Sequence, residues 1–380
     1  MINILIAGDL SPQERVARLF DEGKFLLVFN GVKNIIDKVD YSIVNLESPI
    51  VEVLSKPIQK AGPCLKCNAN VVNALKFLGV SCVTLANNHF YDYGESGALN
   101  TFELLKKGGI DYVGAGRNIE EASKTLYKRV GDKTVAFINC CEHEFSIATK
   151  KSAGSNPLNI IDQYLAIKDA KSNADHIIVI VHGGMEMCQL PSPRMVKTYR
   201  FFIEAGADVV VNHHQHCYSG YEYYHNKPII YGLGNFCFDW KGRRNSIWNE
   251  GYLLRLSFDN KDIKMEIVPY EQCNEKPCIN LECINKQDFF EKISELNNII
   301  SNKYKLEEQF NKFLSKSWNN YECDVANLSS NRYLQALFKR GIIPSLISEH
   351  KLRTILNAVR CESHRDRMIN SLLRRLEKLG

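Results

Sequence analysis

"ADVVVNHHQHCYSGYEYY", residues 207–224, decides how the chain is read. Three valines run into Asn212 and then into His213, His214 and His216, so three of the ten histidines fall within four positions. The valine run has the composition of a buried strand, and the imidazoles come where that strand would end. Five more runs of the same kind precede it: "INILIAG", "YSIVNLE", "VSCVTLA", "TVAFINCC" and "HIIVIVHGG". Amphipathic stretches such as "NANVVNALKFLG" and "SGALNTFELLKKGG" lie between several of them, the latter closing on a Gly pair suited to a helix C-terminus. Alternation of this kind predicts an α/β fold with a largely parallel sheet covered by helices.

Polar residues fall at the ends of these runs in a consistent way. Asp9 follows the first, Glu47 the second, Asn87, Asn88 and His89 the third, His182 the fifth, and His213, His214 and His216 the sixth. The carboxyl edge of an open α/β sheet is where ligands bind. Taken singly, Asp9 reads as a turn or cap residue, Asn87-Asn88 as turn chemistry and His182 as a core imidazole. Five strands delivering metal-capable groups to one edge point instead to a shared cation site. Mixed Asp, Glu, Asn and His ligation suits Mn, Fe or Zn, and a bridging carboxylate such as Glu47 would allow two ions. Such a pair activates water and stabilises a leaving oxygen in hydrolysis.

The totals restrict the alternatives. The chain has 380 residues, 45% hydrophobic and 24% charged, with a net charge of +5, ordinary values for a globular protein of one large domain and an appendage, or of two domains. No nucleic-acid-binding signature accompanies the mild basic bias. "MINILIAGDLSP" does not read as a signal peptide, and no apolar run is long enough to span a bilayer, so a cytoplasmic protein is expected. The thirteen cysteines, including the "CLKC" of Cys64–Cys67 and the spaced Cys273, Cys278 and Cys283, then read as reduced thiols. "GAGRN" lacks the rest of a phosphate-loop or dinucleotide motif and reads as a tight turn.

After "YGLGNF" the pattern changes. "GYLLRLSFDNKDIKMEIVPY" reads as a β-hairpin turning at Asp259-Asn260, and polar helical text follows from about Asn285. A boundary near residue 280 separates a domain of residues 1–280 from a helical region of 281–380. In the last segment, Leu352, Ile355, Leu356 and Val359, then Ile369, Leu372, Leu373 and Leu376, keep helical spacing. Arg353, Arg360, Arg365, Arg367, Arg374 and Arg375 surround them. This stripe is expected to pack on its own protein, with a membrane surface or an acidic partner as the alternative.

Six segments, in order, resemble the CapA family of bacterial capsule-synthesis or poly-γ-glutamate-biosynthesis proteins. They are "IAGDLS", "DYSIVNLESPI", "LANNHFYDYG", "DYVGAGRNIEEA", "VIVHGGMEM" and "AGADVVVNHHQHCYSGYEYYHNKPIIYGLGNF", spanning residues 1 to about 238. The resemblance implies a calcineurin-like metallophosphoesterase fold, a layered αββα sheet core, with the C-terminal helices added. It implies metal ligation by Asp9, Glu47, Asn88, His182, His214 and His216, with Glu47 bridging. It also implies His89 as general acid, Asp92 orienting it, and Glu186 as a nearby acid or supporting group. The family usually has Gly where Asn212 stands, Pro where Gln215 stands and Ser where Gly232 stands. Ser11 replaces a histidine of related metallophosphoesterases, which leaves the ion count at one or two. The expected function is metal-dependent hydrolysis of a phosphoester or related anionic small-molecule or polymer substrate. The alternative is a non-catalytic accessory role among capsule-synthesis proteins.

Overall fold

The first strand, Ile2–Leu10, is apolar on both faces and almost wholly buried, which places it inside a sheet covered on each side. In this computed structural model it is the centre of the larger of two main sheets. The structure describes all residues except 53–54, 61, 260–261, 316–331, 341, 344–346 and 378–380. From one edge the larger sheet runs Ile279–Asn280, Ile263–Gln272, Glu250–Phe258, Ile2–Leu10, Tyr41–Leu46, Cys82–Thr84 and Asp111–Val113. A short strand, Asn235–Cys237, also pairs with the end of Ile2–Leu10. Pairings from Ile2–Leu10 to Asp111–Val113 are parallel, whereas Glu250–Phe258 and Ile263–Gln272 form the expected antiparallel hairpin. Of the turn expected there, Asn260 lies outside the described residues.

The second sheet runs Tyr221–Tyr224, Lys227–Ile230, Val209–His213, His176–His182, Lys133–Cys141 and Leu126–Val130. Its four central strands are parallel and its two edge strands antiparallel. The strands expected to form one largely parallel sheet therefore divide between two that face each other. Side-chain alternation shows the layering. Ile178, Ile180, Val209 and Val211 meet Ile4, Ile6, Ile43 and Leu254 between the sheets. Val179, Val181 and Val210 face outward against Ile167, Val196, Tyr199 and Phe202, from the helices Ile160–Asn173 and Pro193–Ala205. On the far side, Leu5, Val44 and Val83 are covered by Val28, Phe29, Leu75 and Leu105, from the helices Phe25–Ile36, Asn70–Leu78 and Gly94–Gly108. This is the αββα core.

Local signals behave as their chemistry dictates. Gly109, second of the Gly pair, takes φ 70° and ends the helix Gly94–Gly108. Within "GAGRN", Gly114 has φ 89°, and a Cβ there would lie 1.9 Å from Asn139 Oδ1. That amide joins the sheets: its oxygen accepts from Ala86 N at 2.9 Å, and its nitrogen donates to Ile180 O at 3.0 Å. The stretch is a turn fitted against this bridge.

The chain forms two compact units, Met1–Glu308 and Gln309–Gly380. The helix Lys286–Ile300 lies within the first, because Phe289 and Ile293 complete the core between the sheets and Asn297 Oδ1 accepts from Tyr221 N at 2.7 Å. Residues 281–308 thus go with the sheets rather than with the C-terminal helices. The second unit includes the helices Arg332–Lys339, Glu349–Arg360 and Glu362–Glu377. Among the described residues no helix is long and apolar enough to cross a membrane. The described cysteines are free, and the thiols of Cys64 and Cys67 donate to backbone carbonyls.

Gly8 tests how closely the first strand is fitted. A Cβ there would stand 1.9 Å from Gly234 O and 3.2 Å from Phe236 N, both backbone. Gly8→Ala is expected to lower unfolding free energy by roughly 2–4 kcal/mol, as severe overpacking does. Denaturant unfolding monitored by fluorescence would measure it, and a loss below about 0.5 kcal/mol would contradict this packing.

Candidate metal centre

The strand ends converge. A register shift between Ala7 and Asp9 swings the Asp9 carboxylate out of the first strand's regular course. Glu47 follows the neighbouring strand, its N–H held by Leu10 O at 2.9 Å. The loop after Cys82–Thr84 is organised by Asn87, which donates to Leu46 O at 2.9 Å and accepts from His89 N at 3.1 Å. Asn87 is thus a fixing residue, and its neighbour Asn88 is the one that reaches the centre. From the second sheet come His182 and His213, paired in register on adjacent strands. Beyond them His214 and His216 take left-handed φ values of 94° and 55°. Non-glycine residues adopt this conformation at a cost, and it recurs at functional sites.

All six residues expected as ligands meet. His182 Nε2 lies 3.0 Å from Asn88 Oδ1, 3.1 Å from His214 Nδ1 and 3.6 Å from Glu47 Oε1. His216 Nε2 lies 3.6 Å from the same Glu47 oxygen, and His216 Nδ1 lies 3.5 Å from Asp9 Oδ2. The potential ligand atoms form two trios, Glu47–His182–His214 and Asp9–Glu47–His216, each within 4.8 Å, with Glu47 common to both. His213 Nδ1 stands 3.4 Å from Asp9 Oδ1. Ser11 only meets Ser48 Oγ at 3.5 Å and Gln13 Nε2 at 3.1 Å, so that position adds no imidazole.

The electrostatics fit a cation. Both Glu47 carboxylate oxygens are buried without a hydrogen-bond donor, an arrangement that costs several kcal/mol unless a positive charge compensates. Burial drives the Glu47 pKa well above its ordinary value, although the charge of His216 opposes the shift. Asp9 goes the other way: burial raises it, but the close imidazoles of His213 and His216 prevail and hold it well below the usual range. Burial and the neighbouring His214 depress His182, while burial and His216 depress His214. His216 is the exception: burial works against its charged form, yet Glu47 and Asp9 lift it to about 10. Carboxylate, imidazole and amide donors together suit Mn, Fe or Zn.

Beside the trios stands a second constellation. His89 Nδ1 lies 2.7 Å from Asp92 Oδ2, which also accepts from Leu65 N at 2.6 Å. Lys60, its side chain almost fully buried, forms an ion pair with Asp92 Oδ1, and its Nζ lies 3.1 Å from His89 Nδ1. Glu186 is exposed and acts on Glu47, His214 and His216 through its charge.

Sequence reasoning missed Lys60, which sits in a loop without periodicity. It also missed three groups that orient the ligands. Asn45 Nδ2 donates to Asp9 Oδ1 at 2.7 Å. Asn235 Oδ1 meets His216 Nδ1 at 2.9 Å, leaving Nε2 facing Glu47. Glu144 Oε1 lies 3.8 Å from His214 Nε2. Asn45 carried a usable signal, since it lies two positions before Glu47, and the strand period puts both on one face.

The three departures from the family pattern turn out to be neighbours. Asn212 accepts from the Tyr199 hydroxyl at 2.6 Å and donates to Gly183 O at 2.9 Å and Tyr231 O at 3.1 Å. Its amide nitrogen is also 3.4 Å from Gln215 Oε1, and Gln215 Nε2 donates to Cys188 O at 2.7 Å. A Cβ at Gly232 would lie 2.5 Å from that same Gln215 oxygen.

Residues 3–240 match the family model described as bacterial capsule synthesis protein PGA_cap. The chain belongs to this family. Among curated relatives of the PGA_cap chain is the capsule biosynthesis protein CapA of Bacillus anthracis. It is 33% identical over 278 residues, covering 70% of this chain and 67% of that protein. The PGA biosynthesis protein CapA of Bacillus subtilis (strain 168) is 29% identical over 277 residues, covering 71% and 72%. Solved structures similar to this PGA_cap chain include a putative 5'-nucleotidase from Staphylococcus aureus in complex with α-ketoglutarate. It shows 16% identity and a TM-score of 0.45, covering 78% of this chain and 58% of that one.

Two outcomes are expected of this centre. Glu47→Gln removes the carboxylate common to both trios, so metal retained after dialysis should fall to a small fraction of wild type. The thermal midpoint of the metal-free protein should stay near wild type, because a carboxylate without a hydrogen-bond donor is costly to bury and His216 keeps Asp9 as a partner. Metal analysis and calorimetry check the two halves. The second outcome concerns pH. With a folded value of about 10 against an ordinary 6.5, charged His216 stabilises the metal-free fold below about 6.5, and that stabilisation is lost as pH rises through about 10. A cation needs the neutral ring, so binding expels a proton and Mn affinity should climb with pH through that window. Titration calorimetry in buffers of different ionisation enthalpy measures this, and an affinity independent of pH would contradict it.

Proposed function

We propose that the chain is a metal-dependent hydrolase of a phosphoester or related anionic substrate, acting in capsule or poly-γ-glutamate-like polymer synthesis. The observation that carries this reading is the pair of ligand trios sharing the donor-less carboxylate of Glu47. Asp9, Glu47 and His216 would hold one divalent cation, and Glu47, His182 and His214 a second, with Asn88 beside His182. A bound cation supplies Lewis acidity toward the substrate oxygens and lowers the pKa of water. Around it the protein's own groups do the positioning. Asp92 fixes His89 through Nδ1, so Nε2 is the nitrogen left to donate a proton to the leaving oxygen. Lys60 neutralises the far oxygen of Asp92, and Leu65 N–H holds the near one, so the imidazole is supported by a carboxylate that cannot swing. Exposed Glu186, whose charge is felt by Glu47, His214 and His216, would orient water or a second polar group.

The assay is direct. Protein loaded with Mn or Zn should turn over an aryl phosphate monoester or diester. His89→Asn should keep its metal and lose roughly 10²–10³-fold in kcat. His214→Ala should lose metal and activity together. Two relatives in Mycobacterium tuberculosis, 28% identical over 220 residues, are named probable polyglutamine synthesis accessory proteins. Stoichiometric metal with no turnover of monoester, diester or peptide substrates would favour that second, non-catalytic role for this chain.

A further inference from the structure

Charge is divided unevenly along the chain. Residues 309–380 hold thirteen Lys and Arg against six Asp and Glu, a net +7, whereas the whole chain carries only +5 and residues 1–308 therefore −2. All of the basic excess belongs to the second unit. Within it the helices Glu349–Arg360 and Glu362–Glu377 contain seven Lys and Arg and four acidic residues.

These helices also present apolar surface. Met368, Ile369, Leu372, Leu373 and Leu376 recur at helical spacing on the second helix and are 40%, 47%, 53%, 52% and 64% exposed. Leu356 and Val359 on the first are 47% and 55% exposed. Leu352 and Ile355 of the predicted stripe are half-buried, whereas its described side chains from Leu356 to Leu376 are exposed, and exposed Arg365 and Arg367 lie within the same turns. Contiguous apolar side chains in water mark an interaction surface.

We propose that this helix pair docks on an anionic lipid surface, laying the Leu, Ile and Met stripe into the headgroup boundary while the arginines meet lipid phosphates. Two features select that occupant. An apolar stripe on net basic helices, within a unit of +7, is the chemistry of helices that lie in a membrane interface, and neither is long and apolar enough to span one. A second copy of this unit would bring another +7 against the first, and a soluble polyanion would leave the leucines in water. The inference is independent of the chemistry at the metal centre.

Vesicle sedimentation of the full chain tests it. Vesicles of phosphatidylcholine with about one-third phosphatidylglycerol should bind the protein at least about tenfold more tightly than pure phosphatidylcholine, and high salt should weaken the binding. Leu372→Glu with Leu373→Glu should lose most of it, and so should Arg365→Glu with Arg367→Glu. The milder Leu372→Ser with Leu373→Ser, together with unchanged helical content by circular dichroism, guards against a folding defect. Equal binding to both vesicle types overturns the proposal. So does full binding by the leucine variants, which would mean charge alone. A dimer that the leucine variants dissociate, with vesicle binding unaffected, also overturns it, as does capture by soluble poly-γ-glutamate but not by vesicles.

Discussion

The carboxylate of Glu47, sealed from water and given no hydrogen-bond donor, is the constraint around which the first unit is arranged. A lone buried anion is unstable, so its surroundings must hold positive charge at a fixed distance. His216, just past the end of a second-sheet strand, occupies that position, and it reaches it only because the two sheets stack with their ligand-bearing ends together. Buried amides maintain the registration. Asn139 ties the sheets through Ala86 and Ile180, Asn45 anchors Asp9, and Asn235 fixes His216. Removing an amide of this kind leaves buried polar groups without partners, so core and centre fail together.

The same logic separates the behaviour of groups that look alike in sequence. Four histidines lie within a few ångströms, yet His182 and His214 are held toward the neutral form and His216 toward the charged one. His182 and His216 stand equally far from Glu47, but His216 also lies 3.5 Å from Asp9, whereas His182 lies 3.1 Å from the His214 ring. His89 stands apart from this cluster and is governed by Asp92 and Lys60. Ligand chemistry and proton-transfer chemistry thus occupy adjoining but separately wired corners.

Much of this was legible in the residues alone, for a physical reason. A strand buried on both faces leaves one place for a polar group, its end, so Asp9, Glu47, His182 and His213–His216 announced themselves by position. The division into two sheets came only with the family resemblance, because continuous apolar runs carry no mark of which face meets which neighbour. Lys60 was hidden for the opposite reason: it lies in irregular backbone, where nothing constrains the direction of a side chain. The helix Lys286–Ile300 looked polar in the text, yet two residues, Phe289 and Ile293, were enough to bind it to the sheets. The apolar stripe near the C-terminus had the spacing of a packed face, and spacing cannot report whether anything covers it.

Asn212, Gln215 and Gly232 interlock beneath the histidine turn. Restoring a serine at 232 alone would drive its Cβ into the glutamine amide. A proline at 215 alone would strip Cys188 of its donor, and a glycine at 212 alone would abandon the Tyr199 hydroxyl and three carbonyls. The three positions therefore depend on one another, so exchanges made together should be tolerated better than any one made singly.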